Sequence, residues 1–264
     1  MQWQDIALIG PAFVAGLIVV FSHVPLGTEV VKRGIIFIDL AIAQIAGVGL
    51  LLAQLLDIAS PIGQQLVAAG TAIGGALLLT FTEQRLGRYQ EPLIGVLFVL
   101  AASLGLLLLA GDPHGGEALQ ELLSGQILWV TYGQALTCAL VLVPATLLWL
   151  TLKKRYNKQV FYLLFAVIIT ASVQLVGVYL VFASLVIPAL ATVGSPRLGM
   201  TIALMLGALA YAYGLGLFAS LLWDLPAAPM IVWCLAIVAL LYLVISHGLG
   251  QQQGQEDATP AAKT

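Results

Sequence analysis

The stretch 31-VKRGIIFIDLAIAQIAGVGLLLAQLL-56 decides the fold, because two cations at its start are followed by an almost entirely apolar run. A run of about 20 apolar residues is long enough to cross the roughly 30 Å hydrocarbon core of a bilayer as a helix. Within it, Asp39 lies six positions after Arg33, and Gln44 follows five positions later. A carboxylate is costly inside a membrane span, so Asp39 must face protein or water and not lipid.

The composition of the whole chain points the same way. Of its 264 residues, 61% are hydrophobic and only 8% are charged, whereas soluble domains carry about a quarter charged residues. The apolar runs are too long and too uniform for barrel strands, which alternate apolar and polar residues. We therefore predict an all-α, polytopic helical membrane protein with membrane lipid around it. The net charge of −2 argues against a nucleic-acid partner.

The apolar segments also predict how often the chain crosses the membrane. The first segment lacks a basic start and a small-residue cleavage site, so we interpret it as a retained helix and not a signal peptide. The uncharged run 160–193 would be about 50 Å long as one helix, which exceeds a bilayer, so we predict a break near Gly177. Residues 1–250 then form one membrane domain, and the low-complexity tail 251–264 is predicted to be disordered. The predicted segments are 6–31, 34–56, 62–81, 93–109, 127–152, the two halves of 160–193, 198–223 and 227–245.

The distribution of cations tests this count of nine. With the N-terminus outside and nine crossings, every Lys and Arg falls in a cytoplasmic loop or in the cytoplasmic tail, as the positive-inside rule expects. If the run 160–193 crossed once, giving eight spans, Arg197 and Lys263 would lie outside. We expect eight to nine crossings and prefer nine, with the C-terminus in the cytoplasm.

A candidate metal site follows from the polar residues near the first cytoplasmic turn. Counting from Arg33 at about 1.5 Å per residue, His23 lies roughly 15 Å up the first helix, and Asp39 and Gln44 lie roughly 9 and 16 Å up the second. An imidazole, a carboxylate and an amide oxygen suit a cation such as zinc, manganese or ferrous iron. The alternatives are a structural hydrogen bond or ion pair of Asp39 with Lys32 or Arg33, and a lone histidine hydrogen-bonded across a helix pair.

The large external loop offers a second, weaker candidate. In 112-DPHGGE-117, the side chains of Asp112, His114 and Glu117 could form a site where metal arrives from outside, although such a loop is usually just solvated. We find neither a phosphate-binding GxxxxGK[ST] sequence nor a GxGxxG turn, and no Ser/His/Asp arrangement. We therefore predict that this chain is not an enzyme and binds no cofactor of its own.

Four stretches of the sequence are informative together: 26-LGTEVVKRGIIFIDLAIAQIAG-47, 124-SGQILWVTYGQAL-136, 173-VQLVGVYLVFASLVIPALAT-192 and 224-DLPAAPMIV-232. They resemble the permease subunits of the zinc/manganese/iron ABC importer family, and the resemblance covers about residues 10–245. The resemblance implies a permease fold like that of vitamin-B12 importers, located in the cell (inner) membrane. It also implies a homodimer that passes a divalent metal ion between its protomers by alternating access. A separate ATP-binding subunit and an extracytoplasmic metal-binding protein would be its partners.

The chain departs from that family at two places. The family pairs its aspartate with a histidine four positions later, but here Asp39 is followed by Ala43, so we expect His23 to replace the missing ligand. The cytoplasmic coupling helix that docks on the ATPase is replaced by the short sequence 153-KKRYNKQ-159. Docking would then involve the loop 82–91, or the protein would be a stand-alone metal channel or assembly protein. The predicted docking cations are Arg85, Arg88, Lys153, Lys154 and Arg155.

Overall fold

The computed structural model describes residues 3–113, 115–152, 159–192 and 198–256, and in these ranges the regular structure is entirely helical. Ten α-helices and two short 3₁₀ helices, Gly87–Tyr89 and Ile127–Trp129, make up this part of the chain. The α-helices are α1 (Trp3–Arg33), α2 (Ile38–Leu55), α3 (Pro61–Leu86), α4 (Gln90–Leu109), α5 (Gly115–Ser124), α6 (Tyr132–Leu152), α7 (Gln159–Val176), α8 (Val178–Thr192), α9 (Leu198–Trp223) and α10 (Ala227–Glu256).

Helix α2 lies between α3 and α4. The start of α4 meets the start of α2, where the Phe37 backbone N–H donates to Glu91 at 3.1 Å. Further along, Gly105 of α4 faces Leu51, so α4 runs parallel to α2. Helix α3 runs antiparallel to α2. It packs closely on α2 because both residues at the contact, Gly49 and Ala68, are small. The helix containing Asp39 is therefore enclosed by its neighbours.

Helix α1 packs on a different set of helices, namely α6, α8 and α9. Gly27 lies against the backbone carbonyl of Leu185 on α8, and Gly16 lies under the ring of Tyr213 on α9. The Tyr213 hydroxyl also shares a 2.6 Å hydrogen bond with Ser184. These close approaches need a residue without a side chain on α1, which explains why glycine stands at positions 16 and 27.

The predicted break near Gly177 is confirmed. Gly177 separates α7 from α8 and has a φ of +83°, a left-handed value that glycine adopts without strain. The start of α7 is next to the end of α1, because the Arg33 guanidinium lies 4.5 Å from the Phe161 ring centroid. Ala189, near the end of α8, lies against Gly27, which is six residues before Arg33 in α1. The chain therefore reverses direction at Gly177.

Six helical stretches are long and apolar enough to span a membrane within the described ranges. They begin at Ile9, Ile38, Pro61, Tyr132, Gln159 and Ala227, and the one from Pro61 joins α3 and α4. Helix α8, with 15 residues, and the stretch Leu209–Trp223 are apolar but shorter. Helix α10 continues to Glu256, into the tail predicted to be disordered, and 257–264 lie outside the described residues.

Candidate functional site

A cavity of about 370 Å³ lies between α2, α3, α4, α5, α6 and α7. Its polar lining consists almost wholly of glutamine amides, and we call it the glutamine cavity. The single ionisable side chain among the described lining residues is Glu121, which is exposed. The lining glutamines are Gln44, Gln54, Gln64, Gln126, Gln134 and Gln174.

Most of these amides have hydrogen-bonding capacity left over. Gln64 donates to the Ile58 carbonyl at 3.0 Å, and the Gln134 amide oxygen accepts from the Thr131 backbone N–H at 2.8 Å. The other four amides form no side-chain hydrogen bond with any described residue. They are those of Gln44, Gln54, Gln126 and Gln174. Gln44 is also only 5% exposed. A buried amide without a protein partner needs water or a ligand, so these groups can bind a polar solute.

Asp39 lies deeper on the same helix, in the first turn of α2 and 1% exposed. Neither carboxylate oxygen has a hydrogen-bond partner among the described residues. The described residues therefore do not show the predicted alternative of a bond between Asp39 and Lys32 or Arg33. The Arg33 guanidinium forms an ion pair with Glu29 at 2.8 Å. Asp39 and Gln44 are separated by a helical rise of about 7.5 Å. An unpartnered carboxylate at this position can act as a cation ligand.

His23 is fully buried in α1, and its ring is oriented by its own helix. Nδ1 lies 2.9 Å from the Val19 carbonyl oxygen and 2.9 Å from the Ser22 hydroxyl. Because a carbonyl can only accept, Nδ1 carries the proton, and Nε2 keeps a lone pair. Nε2 has no hydrogen-bond partner in the described part of the chain. A hydrogen bond from Nδ1 to a backbone carbonyl is also how metal-binding histidines are commonly oriented.

The helix packing differs from what the predicted His23–Asp39 site assumed. The height estimate treated α1 and α2 as an adjacent antiparallel pair, but α1 packs chiefly on α8, α6 and α9, and α2 on α3, α4 and α7. Within the described ranges, His, Cys, Asp and Glu side chains form no group of three that could hold a metal ion. The shared use of His23, Asp39 and Gln44 as ligands stays a prediction.

The other predicted site residues that the structure describes are all exposed. Asp112 and Glu117 are exposed near the start of α5, and His114 lies outside the described residues. Arg85 stacks on Phe81 with 4.3 Å from its guanidinium carbon to the ring centroid. Arg88 donates to the Tyr89 hydroxyl at 2.8 Å, and both arginines are exposed. The predicted docking residues Lys153, Lys154 and Arg155 are likewise outside the described residues.

Sequence reasoning missed most of the glutamine cavity, since Gln44 was the single lining amide it identified. The sequence alone could have identified Gln54 and Gln174 as candidate site residues, because each is an isolated amide in a helix of high hydropathy. An amide in such a helix faces protein or water more often than lipid. Gln126 and Gln134 stand next to loops and gave no comparable signal.

Comparison with known families identifies the chain. Residues 5–157 and 144–246 match the ABC 3 transport family. The chain belongs to this family. The resemblance to ABC importer permeases that was noted from four short stretches is thereby confirmed, and the multi-helix membrane fold is that of a transport subunit.

One curated relative and two solved structures illustrate the relationship. The ABC 3 family chain is 24% identical over 275 residues to the manganese transport system membrane protein MntC of Halalkalibacterium halodurans, covering 96% of this chain and 91% of the relative. It resembles PsaBC from Streptococcus pneumoniae, solved in complex with Fab, with a TM-score of 0.69, 21% identity and coverage of 92% and 91%. It also resembles a metal-chelate type ABC transporter in an inward-facing conformation, with a TM-score of 0.66, 17% identity and coverage of 90% and 85%. The two structural likenesses show a shared fold.

Proposed function

We propose that this chain is the membrane-spanning permease subunit of an ABC transporter that imports a divalent metal ion, with zinc, manganese and iron as the candidates. Membership of the ABC 3 family and the likeness to a manganese transport membrane protein support the transport class. The observation that carries the metal assignment is Asp39, a carboxylate that is 1% exposed and has no hydrogen-bond partner among the described residues. Such a group is retained in a membrane protein at a cost, and a cation ligand is the role that accounts for it.

In this proposal the chain works as a homodimer, and the ion passes between the protomers by alternating access. Asp39 is the principal ligand, and Gln44 and His23 contribute an amide oxygen and the Nε2 lone pair. The free Nε2 of His23 supports its role, because a neutral imidazole with Nδ1 occupied is ready to bind a borderline cation. The packing of α1 away from α2 means that a change of conformation, or the second protomer, must bring His23 to the ion.

The proposed topology has nine crossings, an external N-terminus and a cytoplasmic C-terminus. The parallel course of α2 and α4, the opposite course of α3, and the reversal at Gly177 support this alternation. Asp112, His114 and Glu117 then face the extracytoplasmic metal-binding protein. Arg85 and Arg88 face the ATP-binding subunit together with Lys153, Lys154 and Arg155.

A second candidate function is a metal channel or assembly protein that works without an ATPase. The observation in its favour is the short connection between α6 and α7, in which 153–158 are too few for a two-turn docking helix and its connections. In the first candidate, the exposed Arg85 and Arg88 at the turn between α3 and α4 take over the docking role.

Purification from native membranes separates the two candidates. The first predicts that the tagged chain is recovered with a stoichiometric ATP-binding subunit, and that Arg85→Ala combined with Arg88→Ala reduces this recovery. Proteoliposomes containing both subunits should take up radioactive manganese, zinc or iron only with ATP on the cytoplasmic side. Uptake by the chain alone, at a rate that ATP and the second subunit leave unchanged, would establish the channel.

A further inference from the structure

The glutamine cavity differs in chemistry from the Asp39 site beneath it. We propose that this cavity receives the metal cation with its water shell intact and holds it by hydrogen bonds from the bound waters to amide oxygens. The inference rests on the proposed function, since it assumes that a divalent cation is the transported species. The glutamine cavity captures the hydrated cation, and the cation loses its bound water at Asp39.

The first argument is the identity of the lining groups. Borderline cations exchange water for imidazole, thiolate or carboxylate, and among the described lining residues one side chain, Glu121, belongs to these types. Neutral amide oxygens compete less well for the metal itself. They are good acceptors for the O–H groups of metal-bound water, whose acidity the cation increases. The lining therefore suits the outside of a hydrated ion better than a bare one.

The second argument is size. Six waters at a liquid share of about 30 Å³ each occupy roughly 180 Å³. The cavity holds about 370 Å³, so a six-coordinate hydrated ion fits with room for a few further waters. A bare cation would touch one wall of the cavity, and most of the amides would then contact water that is not bound to the ion.

The third argument is the unused hydrogen-bonding capacity of Gln44. This side chain lines the cavity, is only 5% exposed and makes no hydrogen bond to the described protein. Gln174 lines the same cavity from α7 and is equally free of protein partners. Two unpaired amides on different helices can accept from waters on different sides of one ion.

The proposal requires the ion to move along α2, because Asp39 is not among the residues that line the cavity. Gln44 forms part of the cavity wall, and Asp39 lies about 7.5 Å further toward the start of the helix. Ala43, between them, is buried and offers no ligand. An ion that moves from the cavity to Asp39 exchanges water-mediated contacts for direct ligands, and this is where water leaves the shell. Gln44 takes part in both steps, first through a bound water and then through its amide oxygen.

The test uses hexaamminecobalt(III), a cation whose ligands do not exchange and whose N–H groups point outward as the O–H groups of a hydrated ion do. The full-length chain in lipid nanodiscs is titrated with this probe calorimetrically, and competition with manganese(II) is followed by electron paramagnetic resonance. We expect the probe to bind and to displace manganese. Gln44→Met and Gln174→Met, which keep the side-chain length, should each weaken binding about tenfold through the lost hydrogen bond. Gln120→Met, at an exposed α5 position outside the lining, is the matched control and should bind as the parent does.

Several outcomes would overturn the proposal. These are failure of the probe to bind, equal binding by the parent and Gln174→Met proteins, and manganese that has lost most of its water protons in electron–nuclear double resonance. Manganese binding that needs added citrate would instead establish a chelate as the ligand. Gln174 is exposed, so its variant tests the cavity even if Gln44→Met fails to fold.

The Asp39→Asn protein keeps this test separate from the proposed function. If it binds the probe but takes up no metal, both proposals stand. If it takes up metal normally, Asp39 is not the transport ligand, whereas the result for the glutamine cavity is unaffected.

Discussion

Gly125 and Gly177 lie backbone to backbone, so close that a Cβ on either would overlap the main chain of the other. Both have positive φ angles, +65° and +83°. The contact joins the end of α5 to the break between α7 and α8, and Gly125 also lines the glutamine cavity. This glycine pair sets the position of α5 against the end of α7.

Gly177→Ala should destabilise the protein strongly. A left-handed alanine alone costs roughly 1–2 kcal/mol, and the overlap with Gly125 adds to it. The measurement is the thermal unfolding midpoint and the yield of monodisperse protein in detergent. Gly95→Ala is the control, because a Cβ there meets open space and glycine in a helix interior is already unfavourable. Equal stability of the two variants would show that the glycine contact is dispensable.

Asp39→Asn should reduce metal uptake to background while the amount of folded protein stays the same. Asp39→Leu should abolish uptake and raise the unfolding temperature, because removing a carboxylate from an apolar span relieves up to roughly 3 kcal/mol. Uptake is measured per mole of folded protein in proteoliposomes. The matched control is Asp57→Asn, an exposed aspartate just after the other end of α2. Normal uptake by Asp39→Asn at equal abundance would make this carboxylate structural.

His23→Ala should weaken transport about as much as Asp39→Ala if both side chains bind one ion. The double variant should then be little worse than either single variant, because ligands of one site act as a unit. In the His23→Ala background, Ala43→His should restore part of the activity by placing an imidazole one helical turn beyond Asp39. Losses that simply add would assign His23 a separate, structural role in α1.

Glu91→Ala should loosen the start of α2. The Glu91 carboxylate accepts from the Phe37 backbone N–H at 3.1 Å, and no cap comes from the Phe37 side chain. Loss of a helix cap costs about 1 kcal/mol, and hydrogen exchange at the Phe37 amide should become faster. Glu117→Ala, at an exposed position in α5, is the control. Unchanged exchange at Phe37 would mean that water replaces the carboxylate without loss.

The nine-crossing topology predicts opposite sides for the α5 loop and the C-terminal tail. In a background of Cys138→Ser and Cys234→Ala, Glu117→Cys should react with a membrane-impermeant maleimide added outside intact cells. A cysteine at Lys263 should react only after the cells are opened. Labelling of both from outside contradicts nine crossings and supports eight.

Local properties of the chain were enough for the fold class. The length and hydropathy of each apolar run predict the membrane helices. The thickness of a bilayer limits the length of one helix and so predicts the break at Gly177. Both predictions depend only on residues that are neighbours in the sequence. The role of Asp39 as a buried, costly carboxylate followed in the same way. The four stretches that resemble ABC importer permeases gave the family without any coordinates.

Helix neighbours could not be obtained in this way. The height estimate for His23 and Asp39 needed α1 beside α2, but Gly27 and Gly16 let α8 and α9 approach α1 instead. The glutamine cavity is assembled from residues as far apart as Gln44 and Gln174, and each alone is an unremarkable amide. Apolar helices in a membrane have no hydrophobic preference for one partner over another, so close packing of small residues decides which faces meet. The chemistry of the cavity therefore emerges only when those faces are brought together.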